Sequence, residues 1–149
     1  ITPADSVKIL SYAMEANRAQ AVQKNITFCT DWIENLPNVL ADSEKTTWVL
    51  TNIISNAIRY SPQNASIFLA IAVENNKIKI SVRDEGPGIP PEYREKIFNK
   101  YFQVPGSRKE GTGLGLAISK EFIEAQNGKI MLESTSENGC NFVIFLNVA

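Results

Sequence analysis

Residues 111–116 read Gly-Thr-Gly-Leu-Gly-Leu and run into Ala117-Ile118-Ser119-Lys120, a composition that opens a helix. Glycine admits positive φ and lets the backbone approach a ligand closely, and unpaired amides at a helix start face an anion. The chemistry suggested by Gly111, Gly113 and Gly115 is therefore phosphate binding, although an ordinary flexible loop can carry the same glycines. Upstream, Asp84-Glu85-Gly86-Pro87-Gly88-Ile89-Pro90 sets a carboxylate at the end of a strand-like run, beside two glycines. Such a carboxylate accepts a hydrogen bond from an exocyclic amine and the glycines leave room for a flat base; a turn-forming Asp-x-Gly is the plainer alternative. A third set is Asn52, Asn56 and Arg59, at i, i+4 and i+7 of a helical stretch. That spacing puts two carboxamides and a guanidinium on one stripe. Asparagine is a poor helix former, so two of them one turn apart ask for a reason, and carboxamide oxygens suit a hard Mg2+ that takes further ligands from phosphates. A solvated surface is the other explanation for all three.

The elements that must hold these residues follow from periodicity and punctuation. Asp5 or Ser6 caps a first helix running to about residue 24, with Val7, Leu10, Met14 and Ala21 as its apolar stripe. Ile26, Phe28 and Thr30 alternate as a short strand. Asp42 or Ser43 starts a second helix that buries Leu50, Ile53, Ile54, Ala57 and Ile58 and stops before Pro62. Residues 66–73 and 77–83 flank Asn75-Asn76 as a hairpin, residues 91–99 form a short helix, and the polar residues 101–112 form a mobile loop. A third helix covers about residues 114–126 and stops at Asn127-Gly128; residues 129–134 and 141–148 make a closing hairpin. The expected fold is an α/β (α+β) sandwich, a mixed sheet of about five strands covered on one face by about three helices.

Composition narrows the chemistry. The chain has 149 residues, 44% of them hydrophobic, enough for one substantial core and a single domain. Fifteen basic against sixteen acidic residues give a net charge of −1, so no strong field recruits nucleic acid. No apolar run approaches the roughly 20 residues of a membrane helix. Cys29 and Cys140 lie far apart and without a Cys-x-x-Cys pair; free buried thiols are expected, with a disulfide as the alternative. The absence of histidine excludes a Ser-His-Asp triad, a Cys-His pair and any histidine acid or base.

Residues 52–61, 84–90, 97–102 and 111–118 together resemble, in order and spacing, the N, G1, F and G2 boxes of sensor histidine kinases. The resemblance spans essentially all 149 residues and implies the catalytic and ATP-binding domain of such a kinase, with the Bergerat fold that gyrase, the mismatch-repair ATPases and a heat-shock chaperone share. A Rossmann fingerprint would need glycine at Leu116, and no P-loop is present. By resemblance, Asn56 ligates Mg2+ with help from Asn52, Arg59 meets phosphates and Tyr60 borders the nucleotide. Asp84 takes the adenine amine in a pocket shaped by Gly86, Gly88 and Ile89. Residues 103–112 form a lid hinged by Gly111 and Gly113, with Phe98 and Phe102 beneath it. Thr112, Gly113, Leu114, Gly115 and Leu116 lie along the phosphates.

Two departures accompany the resemblance. Gln103 stands where the family usually has arginine, so a cation at the γ-phosphate falls to Arg108 or Lys109, and Cys140 follows Gly139 where Ser or Thr is usual. The implied activity is transfer of the ATP γ-phosphate to a histidine, for relay to a response-regulator aspartate. That histidine would sit on a dimerising helical hairpin of the same protein or its dimer mate. These residues would then be a monomeric, cytoplasmic catalytic piece, without that hairpin, of a longer chain anchored in a bacterial inner membrane. The alternatives are an ATP-operated clamp of the same fold and a nucleotide-binding pseudokinase. Clamp ATPases place a water-activating glutamate where this chain has Asn52, and a carboxamide takes no proton from water.

Overall fold

A computed structural model describes residues 1–106, 113–136 and 139–149. Two short strands, β1 (Thr2–Ala4) and β3 (Val39–Ala41), pair with each other. The main sheet contains β2 (Thr27–Asp31), β4 (Ser66–Glu74), β5 (Lys77–Arg83), β6 (Lys129–Ser136) and β7 (Gly139–Asn147), in the order β2-β4-β5-β7-β6. β2 runs parallel to β4 and every other pairing is antiparallel, so the sheet is mixed as expected. The described residues also form the α-helices α1 (Ser6–Ala16), α2 (Arg18–Gln23), α3 (Ser43–Tyr60) and α4 (Gly115–Glu124).

Alternation along β4 and β5 buries Ile67, Leu69 and Ile71 on the same face as Ile78, Ile80 and Val82, with Leu69 opposite Val82 and Ile71 opposite Ile80. Register continues that face across β7, where Ile80 opposes Ile144 and Ile78 opposes Leu146. The helices press onto it through Ile9, Leu10 and Ala13 of α1, Leu50, Ile54 and Ile58 of α3, and Ile123 of α4. Asn75 and Asn76, at φ 52° and 61°, make the hairpin turn with both central residues left-handed, as a type I′ turn demands.

Several expectations need correction. The first helix does not run unbroken to residue 24, because Asn17 ends α1 and starts α2. Its buried side-chain amide donates to Ala13 O at 2.9 Å and to Thr51 O at 3.2 Å, tying the break to α3. Residues 91–99 hold two 3₁₀ turns, Pro91–Tyr93 and Lys96–Phe98, since the adjacent Pro90 and Pro91 supply no amide donors and the segment is anchored by the buried Ile97 and Phe98 and the partly buried Tyr93. The third helix is two residues shorter at its C-terminal end, with Asn127 left-handed at φ 59°. β1 and β3 were not expected at all; three residues are too few to show a period. Both cysteines are free as expected, but only Cys140 is buried and Cys29 is half-buried. Of the expected mobile loop, residues 107–112 lie outside the described residues, as do Glu137 and Asn138 of the last turn.

Polar side chains fix α3 at both ends. At its start the Asp42 carboxylate accepts from Lys45 N at 3.0 Å. Gln126, buried beyond the end of α4, accepts from Asp42 N at 2.8 Å and Thr46 Oγ1 at 3.1 Å while donating to Phe122 O at 3.0 Å. At its end the Lys24 ammonium donates to the carbonyls of Ile58 at 2.9 Å, Arg59 at 3.0 Å and Ser61 at 2.6 Å, where the helix dipole favours a cation. No described helix is long and apolar enough to cross a membrane. Lys24→Met should cost about 1–3 kcal/mol in urea unfolding, because three half-buried carbonyls lose their donor together; an unchanged midpoint and slope would show that water replaces the ammonium without loss.

Candidate nucleotide site

One cavity of about 450 Å3 opens between α3, the start of α4 and the ends of β5 and β7. It collects Asn52, Asn56, Arg59 and Tyr60 from α3, Asp84, Gly88 and Ile89 from the turn after β5, Phe102, and residues 113–116 at the start of α4. Among the described candidates only Gly86 and Phe98 do not border it. Gly86 stands behind Asp84, where a Cβ would lie 2.7 Å from Tyr60 O, so glycine is needed for the turn to cross the end of α3. Arg108, Lys109, Gly111 and Thr112 lie outside the described residues.

Asp84 closes one end of the cavity. Its backbone amide donates to Cys140 O at 2.9 Å, and its Oδ1 accepts from Gly86 N at 2.9 Å and from Cys140 N at 3.1 Å. Only 6% of the residue is exposed. Burial pushes its carboxyl above the ordinary carboxylate value, and the two amide hydrogen bonds oppose that shift. Both amide hydrogen bonds fall on Oδ1, so the carboxylate is held in a fixed orientation beside the cavity.

The other end is built where α3 meets α4. A Cβ on Gly115 would sit 2.5 Å from Asn52 Oδ1, so the missing side chain is what allows the helix start to abut that carboxamide. No side chain of the described residues caps α4, and its first turn holds no acid. Its leading amides are available to an anion. Gly113 is left-handed at φ 74°, and a Cβ there would meet Tyr101 Cα at 2.9 Å; its carbonyl accepts from Tyr101 N at 2.9 Å. Tyr101 is itself left-handed at φ 64°, uncommon for an aromatic residue.

Asn56 Oδ1 accepts from Arg59 Nη1 at 3.2 Å, which leaves one of its lone pairs for another partner. Asn52 Nδ2 is buried without a hydrogen-bond partner, and half a turn of the carboxamide would exchange it for the acceptor oxygen. Among the described residues no three histidine, cysteine or acidic side chains converge. The donor set therefore fits a hard cation shared with phosphates, not one caged by protein alone.

Gln103, Val104 and Cys140, which the lid and the last glycine turn single out, line the cavity as well, whereas sequence reasoning gave no site role to Trp48, Ala57, Pro87, Ile97, Ile118 and Phe142. Trp48 precedes Asn52 by one helical turn, so extending the Asn52–Asn56 stripe backwards would have found it. Cys140 and Phe142 arrive through the β5–β7 pairing, which no local pattern signals. Phe98 packs edge-on to Phe142 with ring centroids 6.3 Å apart, and Phe102 lies against Tyr93 at 5.6 Å.

A helix-covered mixed sheet whose strand ends and glycine turns wall such a cavity defines the Bergerat class of ATPase domain. The chain belongs to the family of histidine kinase-, DNA gyrase B- and HSP90-like ATPases, whose model matches residues 41–149. The adaptive-response sensory kinase SasA of Synechocystis sp. is 36% identical over 137 residues, covering 91% of this chain and 36% of that protein. The sensor histidine kinase WalK of Bacillus subtilis is 42% identical over 125 residues, covering 78% of this chain and 20% of that protein. The chain thus spans about a third and a fifth of these two relatives. The solved catalytic domain of the histidine kinase ThkA superposes with a TM-score of 0.87 at 31% identity, over 99% of this chain and 95% of that one. ThkA in complex with the response regulator protein TrrA gives 0.83 at 29% identity, over 99% and 42%. Full-length ShkA in complex with AMPPNP gives 0.86 at 26% identity, over 99% and 31%. Fold and motifs agree with the resemblance read from the four boxes.

The raised Asp84 carboxyl has a defined consequence for stability. A carboxyl whose folded value lies above its unfolded one contributes most when protonated, and that contribution disappears as pH rises through the folded value. As pH rises above the ordinary carboxylate value, about 4, the wild-type chain should therefore lose stability relative to Asp84→Asn, which keeps an acceptor for both amides. Paired urea titrations would measure this, and a pH-independent difference would show that the amide bonds fully offset burial.

Proposed function

We propose that this chain is the catalytic domain of a sensor histidine kinase, binding ATP and donating its γ-phosphate to a histidine outside residues 1–149. The observation that carries this reading is that one cavity holds a buried, oriented carboxylate at one end and a helix start abutting a carboxamide at the other. Asp84 accepts from the adenine amine; Gly86 and Gly88 let the turn pass behind the base, and Ile89 and Tyr60 border the nucleotide. Amides of Gly113, Leu114 and Gly115 meet the phosphates, and Arg59 adds positive charge while orienting Asn56. Asn56, with Asn52, would hold Mg2+, which supplies charge neutralisation on the phosphates.

Phosphoryl transfer through a loose transition state asks mainly for positioning and electrostatic stabilisation. An imidazole nitrogen of the acceptor bonds to the γ-phosphorus as the bond to the bridging oxygen breaks. ADP leaves with that electron pair, and the imidazole proton passes to solvent. No group of the chain has to act as nucleophile, which agrees with the absence of histidine. We further infer that the acceptor lies on a dimerising helical hairpin in a longer chain, that a response-regulator aspartate receives the phosphate next, and that the domain works where ATP is supplied, in the cytoplasm. Asn52 in place of an acid makes water a poor acceptor.

The test mixes γ-labelled ATP, Mg2+ and this domain with the histidine-bearing hairpin of the protein that carries it. Acid-labile phosphate should appear on the hairpin, with little free phosphate released by the domain alone. Asn56→Ala should lower transfer by at least about a hundredfold while adenosine affinity stays within about twofold. Rapid hydrolysis without any phosphohistidine would place the chain among the ATP-operated clamps instead.

A further inference from the structure

Trp48 is unassigned by the nucleotide reading, yet it lines the same cavity while remaining 41% exposed. The cavity-facing residues of α3 are ordered along its axis. Tyr60 lies at the Asp84 end, since the Gly86 turn crosses its carbonyl, and Asn52 lies at the start of α4. With a rise of about 1.5 Å per residue, Trp48 stands about 6 Å beyond Asn52 and about 18 Å beyond Tyr60. It therefore marks the end of the cavity farthest from the base, past the residues that meet phosphate.

The indole is held in place there. Its ring packs edge-on to Phe122 of α4, with centroids 5.5 Å apart and planes at 70°, and Lys45 Nζ lies 5.2 Å from the centre of the Phe122 ring. Ile118, one turn before Phe122, lines the cavity too, so apolar surface leads from the phosphate end out to solvent along the two antiparallel helices. A half-exposed tryptophan locked by a neighbouring ring is the kind of residue that dominates protein interfaces, because little side-chain entropy is left to lose when a partner covers it.

We propose that Trp48, backed by Phe122, is the seat for the histidine-bearing helix of the phosphoacceptor, and so positions the acceptor rather than the nucleotide. The proposal rests on the kinase reading above. The acceptor is the appropriate occupant for two reasons: the chain contains no histidine of its own, and an incoming imidazole must reach the γ-phosphate from the end opposite the buried base. A helix resting on the indole would bring its side chains to that end while the cation of Lys45 stands beside the contact.

The experiment measures steady-state transfer from ATP to the hairpin together with nucleotide affinity, for the wild-type chain, Trp48→Ala and Trp48→Phe. Trp48→Ala should raise the KM for the hairpin at least about tenfold, leave the dissociation constant for ATP within about twofold, and be partly rescued in Trp48→Phe. A second reading uses a Trp32→Phe background, in which Trp48 is the remaining tryptophan: its emission should shift when unphosphorylated hairpin is added. An unchanged hairpin KM in Trp48→Ala would overturn the proposal, as would a loss of ATP affinity equal to the loss of transfer, which would assign the indole to the nucleotide. Failure of the wild-type chain to phosphorylate the hairpin is a separate outcome, and it would overturn the kinase reading itself.

Discussion

The approach of Gly115 to Asn52 is the contact on which the site depends. A helix start and a carboxamide can share one wall of a cavity only if nothing larger than hydrogen projects between them, and a Cβ on Gly115 would lie 2.5 Å from Asn52 Oδ1. From that contact α4 runs back along α3 in the opposite direction, and Gln126 ties the far end of α4 to the cap of α3. The uncapped amides of α4 are thus aimed at the same space as Asn52 and Asn56. Polar tethers at both ends of α3 and an apolar face of Leu50, Ile54 and Ile58 against the sheet keep that aim.

The opposite end of the cavity is governed by β-pairing. Asp84 ends β5, and the adjacent strand β7 brings Cys140 N to the same oxygen that Gly86 N contacts. Gly139 is left-handed at φ 133°, and its absent side chain would project onto Asp84 O, so three glycine-dependent approaches serve one carboxylate and one helix start. Burial raises the carboxyl while amides stabilise its anion, a balance that keeps an oriented acceptor in a largely apolar pocket. The Ser or Thr usual after this glycine is not required for that duty, because the backbone of Cys140 performs it.

Much of this was legible in the sequence because the informative signals were local. The carboxamide stripe of Asn52, Asn56 and Arg59 follows from helical spacing, the Asn75-Asn76 turn from its preference for positive φ, and the two glycine turns from their composition. What stayed hidden depends on partners distant in the chain. Lys24 reads as the end of a helix, yet its ammonium caps another helix 34–37 residues later. Asn17 reads as an ordinary helical residue, yet its contact with Thr51 divides that helix. β1 and β3 are too short to show alternation, and the role of Cys140 emerges only when β5 and β7 pair.

On the proposed nucleotide reading, a glycine-permitted contact between α3 and α4 creates the phosphate end of the site while Asp84 independently holds the base. Calorimetric titration of Gly115→Ala with ATP and with adenosine, on protein whose amide spectrum confirms an intact fold, tests it most directly. Asn52 must yield to the new methyl group, so ATP affinity should fall at least about tenfold while adenosine binds within about twofold of wild type. ATP bound as tightly as before, or adenosine lost in equal measure, would contradict the account.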